Sequence, residues 1–116
     1  MEVVRVDAEA VRELLLGLPG VEEDEGWAGQ PAFRVRKKGF AYLSVDGTTL
    51  LVKALREEQE ALVAEDPEVF TASFVSGRFG WLDIELAGAD GDELRELVIE
   101  GWRLTAPKFL AAQVDR

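Results

Sequence analysis

The segment "WLDIEL", residues 81–86, alternates apolar and polar side chains without a break. A period of two is the pattern of a strand with one face buried and one face wet. Leu82, Ile84 and Leu86 are therefore expected to point inward, and Trp81, Asp83 and Glu85 outward. The same period appears in "PAFRVRK", where Phe33 and Val35 alternate with Arg34 and Arg36. "GFAYLSV" sets Ala41, Leu43 and Val45 against Phe40, Tyr42 and Ser44. "TTLLVKA" follows Asp46-Gly47, the dipeptide of a two-residue type I′ hairpin. "FTASFVS" reads as the hairpin partner of "WLDIEL" around "GRFG". Strands of this kind leave an apolar face that another layer has to cover.

Three amphipathic stretches supply that layer. "DAEAVRELLLGLPG" opens on Asp7 as an N-cap, carries Val11, Leu14, Leu15 and Leu18 at helical spacing, and ends in Gly and Pro. "LREEQEALVAEDP" places Leu55, Gln59, Leu62 and Val63 on one stripe. "DELRELVIEGWRLTA" follows Asp90, which stands three residues before Glu93 as in a capping box, and buries Leu94, Leu97, Val98 and Trp102 before Pro107. "VEEDEGWAGQ", with acids from Glu22 to Glu25, reads as a solvated loop. The order is α-β-β-β-α-β-β-α, an α/β (α+β) two-layer sandwich on a mainly antiparallel five-stranded sheet, with residues 1–116 as a single domain.

The chain has no cysteine and no histidine. Disulfides, thiolate zinc sites, imidazole bases and Ser-His-Asp or Cys-His nucleophiles are thereby excluded. No apolar run approaches the length of a membrane span, and no signal sequence opens the chain, so a cytoplasmic protein without membrane contact is expected. Neither a cofactor nor a metal site is expected, because the Gly-flanked acidic run offers no fixed arrangement of ligands.

Charge is distributed unevenly. The net charge is −10, yet Arg34, Arg36, Lys37 and Lys38 place four of 13 basic residues within one short stretch. On the strand faces assigned above, Arg34, Arg36, Phe40, Tyr42, Lys53 and Trp81 share the outer face of the sheet, with Asp83 and Glu85 beside them. Cations interleaved with aromatic rings can follow phosphates and stack bases.

Six stretches, "LPGVEE", "QPAFRVRKKGFA", "LLVKA", "EDPEVF", "GRFGWLDIEL" and "DELRELVIEGWRLTAPKFL", together resemble the MmcQ/YjbR family. These are small bacterial proteins often labelled DNA-binding. The resemblance runs from about Val11 to Leu110 and implies an α/β sandwich related in shape to secretion chaperones. The family's pattern often has His-Pro where this chain has Gln30-Pro31, and a His where it has Arg78 and Phe79. No role of those histidines carries over.

Two functions remain open, both non-enzymatic. One is a module that binds DNA weakly and salt-sensitively through Arg34, Arg36, Lys37, Lys38, Tyr42, Lys53, Arg78 and Trp81. The other is a module that receives a protein or a small ligand. A monomer is expected in either case.

Overall fold

The structure is a computed structural model and describes residues 6–73 and 79–114. In chain order it runs α1 (Ala8–Leu16), β1 (Val21–Glu25), β2 (Pro31–Val35), β3 (Lys38–Leu43), β4 (Thr49–Val52) and α2 (Arg56–Glu65). There follow β5 (Phe70–Ala72), β6 (Leu82–Glu85), α3 (Gly91–Thr105) and α4 (Lys108–Ala111). The strands form an antiparallel sheet in the order β1-β2-β3-β4-β6-β5. The α+β two-layer sandwich is as the alternation implied.

One face of the sheet builds the core. Phe33, Val35, Ala41, Leu43, Leu50, Val52, Leu82 and Ile84 are buried together with Val11 and Leu15 of α1, Leu62 of α2, and Leu97, Val98 and Trp102 of α3. Local chemistry sets the helix starts. The Asp7 carboxylate accepts from the Ala10 amide and that of Asp90 from the Glu93 amide, so each satisfies a first-turn donor. Pro107 separates α3 from α4.

Four local expectations are corrected. The sheet has six strands among the described residues, because "VEEDE" is the edge strand β1 and not a loop. Its pairing is carried by the main-chain ladder to β2, with only Val21 partly buried, so no apolar alternation marks it. A row of acids on an edge also resists pairing with another chain.

The second correction concerns Asp46-Gly47. Ser44 pairs with Thr49 across a four-residue loop, and only Gly47 takes a positive φ, of 74°. The Asp46 carboxylate accepts from Ser44 Oγ and Thr48 Oγ1, both at 2.8 Å, and from the Thr48 amide at 3.1 Å. This local bonding competes with the tighter turn, and Val45, expected inside, is 74% exposed.

Third, a two-residue turn of the type I′ kind lies at Arg36 and Lys37, whose φ values are 53° and 71°. Strand β2 ends at Val35, so Arg36 stands in the turn instead of beside Arg34 on the strand. Fourth, Phe33 pairs with Ala41 and Arg34 with Gly39, which leaves Phe40 as an extra residue on β3. This bulge shifts the alternation by one position. Phe40 and Ala41 are both fully buried, so Phe40 belongs to the core and not to the outer face.

Candidate nucleic-acid interface

The outer face is ordered by the same register. Ala32, Tyr42, Leu51, Asp83 and Thr71 follow one another across five strands. Nearer the β2–β3 turn, Arg34 is opposite Gly39, the Lys53 amide donates to the Phe40 carbonyl at 3.0 Å, and the Ser73 amide donates to the Trp81 carbonyl at 3.1 Å. Arg34, Tyr42, Lys53 and Trp81 therefore come together in one band, as the sequence implied. Each is half-buried.

Two devices hold the rings. Tyr42 leans over Gly39, where an added Cβ would collide with the tyrosine hydroxyl and lie 2.9 Å from its ring carbon Cζ. A side chain there would push the tyrosine ring aside, whereas over glycine the ring meets Trp81, with centroids 5.8 Å apart and planes at 46°. Gln59 of α2, only 3% exposed, donates from Nε2 to the Trp81 carbonyl at 2.7 Å. The sequence placed Gln59 on the helix's apolar stripe but gave no sign of this anchor, because its partner is 22 residues away.

The cations divide into two groups. Arg34 Nε lies 3.6 Å from Asp24 Oδ2, so β1 neutralises it in part. Arg36, Lys37, Lys38 and Lys53 make no ion pair among the described residues. Lys37 occupies the turn and Lys38 begins β3. Arg78 lies outside the described residues.

The turn borders a cleft of about 1100 Å³. Arg34, Arg36 and Lys37 line it, facing acids of β1, and Phe109 and Leu110 of α4 close it. The Arg36 guanidinium sits over the Phe109 ring, 5.1 Å from its centroid. Neither the cleft nor the part played by Phe109 was legible in the sequence, since both depend on α4 folding back against the sheet.

Acids interrupt the band. Asp83 is half-buried beside Leu51 and two residues from Trp81, and desolvation raises its pKa above the ordinary aspartate value. The folded chain thus holds this proton more tightly than the unfolded chain does. Between the unfolded and folded pKa, stability falls as pH rises, and above both the ionised carboxylate opposes folding. Asp83→Asn is expected to raise the neutral-pH melting temperature and to shrink the gain in stability on acidification, both readable by calorimetry. A lower melting temperature at neutral pH would contradict this. Elsewhere, no group of three or more acids among the described residues is placed to hold a metal ion.

No helix among the described residues is long and apolar enough to cross a membrane. A search of curated proteins finds no match. Among solved structures, the chain is similar to the crystal structure of Deinococcus radiodurans protein DR2400, described as a DUF419 domain. The two share 19% identity with a TM-score of 0.80, over 90% of this chain and 81% of that one. At that identity the likeness concerns the fold alone. The YjbR family model matches residues 16–104, which hold all six described strands, α2 and nearly all of α3. With this match over most of the chain, and the fold in agreement, the chain belongs to the YjbR family.

Proposed function

We propose that this YjbR-family chain is a non-catalytic, cytoplasmic module that binds single-stranded nucleic acid weakly. The observation that carries the reading is the run Arg36, Lys37 and Lys38, three consecutive cations without a carboxylate partner among the described residues. They stand at the end of a face that holds the Tyr42–Trp81 ring pair. Phosphates would meet the turn and Lys53, and unpaired bases would stack on the rings. Arg34, already engaged by Asp24, contributes less than its position on the strand implied. A net charge of −10 opposes the approach of any phosphate chain, so affinity is weak and falls steeply with salt.

Titration of labelled single-stranded and duplex DNA at low salt tests this. Single strands are expected to bind more tightly, and Trp81→Ala to weaken them by about 1–3 kcal/mol. Failure to bind at high micromolar protein removes the reading. In that case a second reading, a protein-interaction module, stands on Trp27, which is 88% exposed at the tip of the β1–β2 hairpin. Its test is a pull-down from native cytosol analysed for both protein and nucleic acid.

A further inference from the structure

The cleft beside the β2–β3 turn combines three chemistries. Its volume of about 1100 Å³ lies just above the range of small-ligand sites, about 300–1,000 Å³. On one side Arg36 and Lys37 are cations without ion pairs among the described residues. At the margin, the Arg36 guanidinium carbon lies over the Phe109 ring, 5.1 Å from its centroid, and Phe109 is 57% exposed.

The third component is a carboxylate. Of the cleft's acids, Glu23 pairs with Arg12 and Asp24 with Arg34, whereas Glu22 has no ion partner among the described residues and is exposed. A simple anion gains nothing from such a group, because two negative charges repel. A ligand with an anionic end and a planar end that donates hydrogen bonds uses all three components at once.

We propose that the cleft binds one unpaired guanine nucleotide. Its phosphate lies against Arg36 and Lys37, and its base stacks on the Arg36–Phe109 pair. Its N1–H and N2 amino group donate to the Glu22 carboxylate. Guanine is the base whose Watson–Crick edge presents two adjacent donors, which match the two oxygens of a carboxylate. Thymine presents one donor between two carbonyls that repel it. The inference rests on the nucleic-acid reading and deepens it, since a strand crossing the Tyr42–Trp81 face toward the turn would deliver one base to the cleft. Phe109 and Leu110 lie beyond the matched residues 16–104, so the closing wall comes from outside the matched part.

The test titrates the whole protein at low salt with guanosine 5′-monophosphate and thymidine 5′-monophosphate, followed by amide chemical shifts. The guanine nucleotide is expected to bind about fivefold or more tightly, with shifts at Glu22, Arg36, Lys37 and Phe109. Glu22→Gln should remove the preference, weakening the guanine nucleotide while relieving the repulsion that the thymidine nucleotide meets, and Phe109→Ala should weaken both ligands. Both side chains are exposed, so the variants should fold as the parent does, which circular dichroism verifies. Equal affinity for the two nucleotides, or a preference untouched by Glu22→Gln, would overturn the proposal. Oligothymidine separates the two readings. If it binds at Lys53 and Trp81 while the guanine test fails, the cleft inference falls alone. If no oligonucleotide binds yet the guanine preference appears, the cleft stands and the strand-binding reading falls.

Discussion

Trp102→Ala is expected to destabilise the protein by about 3–5 kcal/mol, the range for removing a large aromatic side chain from a packed core. Trp102 is fully buried and heads the largest of the buried side chains. It sits on α3 within the cluster that joins both layers, and its Nε1 donates to the Pro19 carbonyl at 3.0 Å. The substitution leaves a cavity and also strands an acceptor in the connection between α1 and β1. Against a total stability of about 5–15 kcal/mol, the loss is a large fraction. Trp102→Phe keeps most of the volume and removes the donor, so the difference between the two variants isolates packing from the hydrogen bond. Urea melts would measure both. A loss below about 1 kcal/mol for the alanine variant would contradict the packing described.

Gly80→Ala is the second large effect, expected at about 2–5 kcal/mol from a strained backbone and an overpacked contact together. Gly80 has φ of 94°, a region that L side chains seldom adopt. A Cβ there would overlap the Ala54 carbonyl oxygen and lie 3.2 Å from its carbon and 3.3 Å from the Arg56 amide nitrogen. All three are backbone atoms at the start of α2, so no rotamer change relieves the clash. Because Trp81 follows directly, the variant should also shift the ring pair and alter tryptophan fluorescence. An unchanged urea midpoint with unchanged fluorescence would contradict so close an approach of Gly80 to the Ala54 carbonyl.

The inner face was legible because burial on one side imposes a period of two. Phe33, Val35, Leu82 and Ile84 are all fully buried, as their alternation required. The buried stripe of α3 was legible from its helical period, and the Asp90 cap because its partner, the Glu93 amide, lies three residues on. What escaped depends on pairing between distant segments. Strand β1 has no apolar side to its pattern, and its place is set by the β2 backbone. The bulge at Phe40 turns one residue inward without any local mark beyond the preceding glycine. Arg36 and Lys37 take left-handed conformations with neither Asn nor Gly to announce them. Of the candidate site, the band of Arg34, Tyr42, Lys53 and Trp81 could be read from the alternation. The neutralisation of Arg34 by Asp24 could not, because the acids had been assigned to a loop.

The concentration of positive charge at 34–38 in so acidic a chain thus has two components. Arg34 faces the acids of β1 and holds the edge, while Arg36, Lys37 and Lys38 remain available to an anionic partner. The most direct test is the salt dependence of single-stranded DNA binding for the parent protein and for the triple variant Arg36→Ala, Lys37→Ala, Lys38→Ala. Four phosphate contacts, at these three residues and Lys53, give a slope of log K against log salt of about −3. The triple variant should flatten it by about 2. A slope that the triple variant leaves unchanged, or binding that is absent in the parent, would contradict the account.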